Sequence, residues 1–194
     1  MAMDDKLYRW LRGIAVGLTA AWLGWTIYDS FFGHTVPGDY AYHAGSNYFA
    51  DRYYDKALEE YTRALRDNPE HLPALRGRAE ALIMLKREGE ALDIYADLIA
   101  RQPDNPRHYA NRGIAHDRLG QYHKALADYE HALSLNPAVG EGPGWLTRFL
   151  RNQPEKQPGI VDRARYLKQQ LALPEAQRVL SVPAIDDAQR PYKE

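Results

Sequence analysis

The sequence predicts an all-α protein: an N-terminal single transmembrane helix, then a solenoid of three helix pairs, closed by a degenerate C-terminal capping pair. Three observations predict it. Ala57, Tyr61, Ala64 and Pro69 return as Ala91, Tyr95, Leu98 and Pro103, and again as Ala125, Tyr129, Ala132 and Pro137, each time thirty-four residues on. The first three positions of each copy fall at i, i+4 and i+7, which is one face of a helix. Ahead of the copies, the run from Gly13 to Tyr28 carries no charge.

Residues 1–12 are a short N-terminal segment holding Lys6, Arg9 and Arg12. Residues 13–32 are read as the membrane span: twenty mostly apolar residues at about 1.5 Å each can cross a hydrocarbon core of roughly 30 Å. Trp10, Trp22, Trp25 and Tyr28 suit interfacial aromatic belts. Three basic residues precede the span and none lies between Gly13 and Asp51, which predicts a cytoplasmic N-terminus, an inner-membrane location and repeats on the periplasmic side. Gly13, Gly17, Ala21 and Gly24 form a stripe of small residues on which a second membrane helix could pack.

Residues 33–38 are a linker, with Pro37 and Gly38 as breakers. The repeats then occupy 38–71, 72–105 and 106–139, with helices expected over 39–51, 54–67, 72–85, 88–101, 106–119 and 122–135. In the second helix of each copy the tyrosine stands between small residues. In the first, Gly45, Ala79 and Gly113 let a neighbour approach closely, and the terminal proline ends the pair. One pair cannot bury its apolar face alone, and about three must be stacked for stability.

Past Pro137 the strict motif stops. Residues 140–173 are read as the capping pair, a short helix from Trp145 and a second from Gly159 to about Leu173, where Ile160, Ala164 and Leu167 repeat the 0, 4, 7 spacing. Residues 174–194 form an extension rich in proline.

Composition excludes several functions. Hydrophobic residues make up 45% and charged residues 26%, as in a globular protein, and the net charge of −1 gives no electrostatic case for nucleic acid. With no cysteine there is no disulfide, thiolate metal site or cysteine nucleophile. Phosphate loops, zinc-helix motifs and serine-nucleophile elbows are absent from the sequence. His116, His123 and His131 share one repeat, but their spacing does not converge on a metal, and His116 stands at a packing position. No enzyme activity, metal or cofactor is expected.

The thirty-four-residue period, the Ala-Tyr-Ala face and the closing proline closely resemble the tetratricopeptide repeat, over roughly residues 38 to 139. The copies depart from that pattern in lacking the early Trp, in Leu98 where Ala is usual and in His116 where Tyr is usual. The resemblance implies a concave groove lined by the first helix of each repeat. Carried onto this chain, it places Asp39, Tyr42, His43, Ser46 and Phe49 there from the first copy. Arg76, Glu80, Ile83 and Met84 come from the second, and Arg107, Asn111, Asp117 and Arg118 from the third. Arg76 and Asn111 offer polar grips for a peptide, while Tyr42, Phe49 and Met84 offer apolar anchors. Some members of that family hold chaperone C-termini in a clamp of Lys and Asn, and here the first copy has Tyr42 and Ser46 instead.

The function expected is a non-catalytic, membrane-anchored scaffold, an assembly factor or accessory subunit of a membrane protein complex, touching lipid through its first helix. Two other readings stand beside it. One is a permanent structural subunit of a large complex; the other is a self-assembling homo-oligomer whose tail enters a neighbour's groove.

Overall fold

The computed structural model describes residues 5–32, 36–140, 159–182 and 191. All regular structure among them is helical. Two units are distinct, residues 1–36 and 37–194. The first holds one helix, α1 (Asp5–Phe32). The second holds α2 (Asp39–Ala50), α3 (Tyr54–Asp67), α4 (Leu72–Met84), α5 (Glu88–Arg101), α6 (Pro106–Arg118), α7 (Tyr122–Leu135) and α8 (Ile160–Leu171). Short 3-10 turns at Pro137–Gly140 and Glu175–Gln177 follow α7 and α8.

The expectation of a membrane span is corrected. No helix of the described residues is long and apolar enough to cross a membrane. The physical reason lies in the composition of α1. Its charge-free part, Gly13 to Tyr28, rises only about 24 Å at 1.5 Å per residue, against a hydrocarbon core of roughly 30 Å. Glycines, threonines, tryptophans and a tyrosine dilute its apolar character, and Lys6, Arg9, Arg12 and Asp29 lie within the same helix. The inner-membrane location, the periplasmic repeats and the lipid contact rested on that span and fall with it. Gly13, Gly17 and Gly24 meet nothing within 4 Å, and Ala21 is exposed.

In the second unit the six repeat helices lie within a residue of the expected bounds. Consecutive helices pack on one another from α2 to α7, which makes a solenoid. Each first helix ends the same way. Arg52 and Lys86 have φ of 65° and 59°, and Gly120 has 70°, thirty-four residues apart in turn. After α4, the Arg87 N–H donates to the Leu82 carbonyl and the Lys86 N–H to the Ile83 carbonyl; Tyr53 with Arg52, and Gln121 with Gly120, repeat the pattern. This is the Schellman termination, and its left-handed residue turns the chain into the next helix. The second helices end at Asn68, Gln102 and Asn136, just before the prolines, with Asn68 and Asn136 in extended backbone. Asn68 and Asn136 side chains accept the N–H two residues on, a local turn that stops the helix.

The core repeats with the sequence. Ala57, Ala91 and Ala125, the three tyrosines, and Ala64, Leu98 and Ala132 are all buried. Burying each aromatic ring contributes on the order of 1.5–3 kcal/mol. The small residues of the first helices have a specific use. A β-carbon on Gly45 would stand 2.8 Å from the Tyr61 ring and one on Gly77 2.5 Å from it, so that ring is held between α2 and α4. Tyr129 is held against Gly113 in the same way.

α8 packs on α7, as α4 does on α3 and α6 on α5. Ile160, Ala164 and Leu167 are buried at its contact face. The short helix expected from Trp145 lies outside the described residues.

Candidate functional site

The inner helices α2, α4 and α6 are cross-linked along their length. At one end, His71 caps α4: its Nδ1 accepts the Ala74 N–H at 3.1 Å, which leaves Nε2 to donate to Asp39 Oδ1 of α2 at 2.8 Å. Further on, Arg118 of α6 donates to the Ile83 carbonyl of α4 at 2.7 Å. The inner row is therefore a fixed frame on which side chains are displayed.

Between α2 and α4 this frame leaves a pocket of about 200 Å³, lined by Tyr42, Ser46, Tyr61, Pro73, Arg76, Gly77 and Glu80. Gly77 opens it, because a side chain there would fill the space over Tyr61. The Tyr42 ring stands 5.1 Å from His71, 5.2 Å from His43 and 6.0 Å from Tyr61, one face of an aromatic cluster. The Tyr61 hydroxyl donates to Ser46 Oγ at 3.3 Å. Burial pushes the Tyr61 phenol up to about 12, with the bond to Ser46 opposing. Arg76 Nε and Glu80 Oε1 are 3.9 Å apart, with 12% and 5% of their side chains exposed. The pocket thus has an aromatic wall, a hydroxyl and a balanced pair of charges.

Four of the residues expected in the groove, Tyr42, Ser46, Arg76 and Glu80, meet at this pocket. His43 is exposed beside it, and Met84 is half-buried at the edge of the core around Tyr61. Others have gone inward. Phe49 is buried, its ring 5.2 Å from Tyr54, and Ile83 is fully buried. Asn111 is fully buried near Tyr95; burial drives that phenol well above its ordinary range, Glu80 adds to the shift, and Asn111 opposes it. Asp117 is buried and bound by Arg163 of α8, with Nε to Oδ2 and Nη2 to Oδ1 both at 2.7 Å, and it also accepts from the Tyr129 hydroxyl at 3.1 Å. Arg107, at the first turn of α6, and Arg118 are half-buried.

Three members of the pocket, Tyr61, Pro73 and Gly77, escaped sequence reasoning. Tyr61 stands at a packing position by its spacing, yet it also lines the pocket. Pro73 is the second residue of its repeat, in register with Asp39 of the first copy, and Gly77, one helical turn on, is in register with His43. His116 is half-buried, its Nδ1 paired with Gln121 Oε1 at 2.8 Å, and burial lowers its pKa. Among the described residues no group of three or more histidines, aspartates or glutamates could hold a metal ion.

Comparison with known proteins fits this geometry. Residues 48–111 and residues 106–138 each match the tetratricopeptide repeat. The chain carries a tetratricopeptide repeat domain. It is 31% identical over 101 residues to the DnaJ homolog subfamily C member 7 homolog of Dictyostelium discoideum, covering 50% of this chain and 19% of that protein. It is 36% identical over 92 residues to RNA polymerase II-associated protein 3 of Xenopus laevis, covering 47% of this chain and 14% of that one. The chain therefore spans less than a fifth of either relative. Among solved structures it is similar to the first tetratricopeptide domain of Spaghetti (RPAP3) bound to the HSP90 peptide SRMEEVD, with a TM-score of 0.53 and 25% identity over 71% of this chain and 94% of that one. The Arabidopsis OM64 tetratricopeptide domain gives a TM-score of 0.50 and 26% identity over 53% and 84%.

Proposed function

We propose that the repeat domain is a non-catalytic protein-binding module that holds an extended segment of a partner polypeptide on its inner helices. The observation that carries the reading is the pocket between α2 and α4, where Tyr42, Ser46, Arg76 and Glu80 surround room for a side chain. Its aromatic wall suits an apolar anchor residue, and its paired charges favour neither an acidic nor a basic one. The Spaghetti structure contains an HSP90 peptide, which supports peptide binding on this fold. With Tyr42 and Ser46 where some relatives place Lys and Asn, the partner segment here is read by an apolar side chain and not by a terminal carboxylate.

The test is selection of random displayed peptides on the purified full chain. Enriched peptides should share an apolar residue and lose at least tenfold in affinity for Tyr42→Ala. Enrichment of nothing, or of peptides that bind a folded Tyr42→Ala and wild type equally, defeats the proposal.

A further inference from the structure

After α8 the chain turns back on itself. The 3-10 turn Glu175–Gln177 reverses its direction, and residues 178–182 run without helical structure beside α8. Three side chains of that helix hold the main chain of this segment. The Tyr166 hydroxyl donates to the Val179 carbonyl at 2.6 Å, Gln170 Oε1 accepts the Val179 N–H at 2.8 Å, and Arg163 Nη2 donates to the Leu180 carbonyl at 3.0 Å. Positions 163, 166 and 170 form one stripe on a helix. The segment's own side chains alternate: Arg178, Leu180 and Val182 are half-buried, while Val179 and Ser181 are exposed. Leu180 packs against the core cluster that contains Ile160, Ala164 and Leu167.

Such an arrangement reads shape, not sequence. Bonds to backbone groups supply affinity for any extended chain, and the alternate side chains supply selectivity, here for an aliphatic residue in the seat of Leu180. The donor is also fixed in advance. Arg163 is gripped from behind by Asp117, so little freedom is lost when its second nitrogen engages a carbonyl.

We infer that the α8 stripe of Arg163, Tyr166 and Gln170, with the apolar seat of Leu180, is a second peptide-binding site, and that residues 178–182 are its resident, displaceable ligand. The ligand class is an extended polypeptide segment bearing an aliphatic residue. A tethered occupant acts at an effective concentration on the order of millimolar, so an outside segment enters only once the resident is released. This site is independent of the pocket at Tyr42.

The probe is a labelled peptide with the sequence of residues 174–182, titrated against the full chain by fluorescence anisotropy. Leu180→Asp, which evicts the resident, should bind the peptide at least tenfold more tightly than wild type. Adding Tyr166→Phe and Gln170→Ala to that variant should abolish the gain. Val179→Pro removes the N–H that Gln170 accepts while leaving the core untouched, and it should raise peptide affinity in the same sense should Leu180→Asp fail to fold. A helical Leu180→Asp or Val179→Pro protein that binds the peptide no better than wild type overturns the inference.

Discussion

Arg163 of α8 and Asp117 of α6 form a two-pronged ion pair with only 1% and 3% of their side chains exposed. Forty-six residues separate them, so the contact ties the C-terminal helix to the third repeat. Removing one partner of such a pair strands a buried charge and typically costs 3–5 kcal/mol. Asp117→Ala should therefore destabilise the domain by about that amount. Arg163→Met should cost less, because the Tyr129 hydroxyl still satisfies one carboxylate oxygen. The double variant Asp117→Ala with Arg163→Met removes both charges together and should recover most of the loss. Urea unfolding followed by far-ultraviolet circular dichroism gives all three values, and a double variant as unstable as the sum of the singles refutes the assignment.

The clasp around Tyr61 predicts a contrast among glycines. Gly77→Ala puts a methyl group 2.5 Å from the ring, and Gly113→Ala puts one 2.6 Å from Tyr129. Overpacking of this kind costs about 1–3 kcal/mol. Gly89 lies within α5 and meets nothing within 4 Å, so Gly89→Ala should gain about 0.5–1 kcal/mol from reduced chain entropy. Thermal melts of the three variants should order them in that way; equal melting points would remove the packing account.

Left-handed backbone at the end of each inner helix predicts a second contrast. An L-residue in that region carries about 1–2 kcal/mol of strain. Lys86→Gly and Arg52→Gly relieve it at φ of 59° and 65°, and each should stabilise the domain by up to about 1 kcal/mol once the added entropy of glycine is counted. Gly120→Ala introduces the strain at φ 70° and should destabilise by a similar amount. Guanidinium denaturation midpoints check the signs.

These positions also mark where the sequence was legible and where it was not. The period and the Ala-Tyr-Ala face fixed six helices because they are set by local spacing and repeated burial. The left-handed site at 52, 86 and 120 shares that period, yet it is invisible when two of its three residues are Arg and Lys. Asp117 sits at a groove position by register, but its place inside depends on Arg163, an arginine from outside the repeats with no periodic signal. Between α2 and α4, Tyr42, Ser46, Arg76 and Glu80 line the pocket while Phe49 and Ile83 pack inward, and at α6 Arg163 of α8 takes Asp117 inside. In α1 the helical stretch was readable from its unbroken run, whereas spanning a membrane demands both length and apolarity. Its glycines, threonines and tryptophans keep the helix and lower the apolarity.

His116 predicts a pH effect whose sign follows from its surroundings. Burial favours the neutral imidazole, the bond to Gln121 and the nearby Asp128 oppose this, and the net result is a pKa below the ordinary histidine value. The unfolded chain, with a histidine near 6.5, then binds the proton more readily than the folded one. Stability rises with pH wherever the unfolded state holds more protons. The contribution of His116 is thus complete above about pH 6.5 and is lost as pH falls toward its lowered folded value. Replacing it with a residue that cannot titrate, His116→Phe, should flatten the fall in melting temperature between pH 7 and pH 5 relative to wild type. The uncharged ring stays beside Arg112 and Asp128, which remain joined by bonds of 2.8 and 2.6 Å, so their ion pair is common to both proteins and cancels in the comparison. A variant whose melting temperature falls as steeply as that of wild type would show that protonation of His116 does not oppose folding.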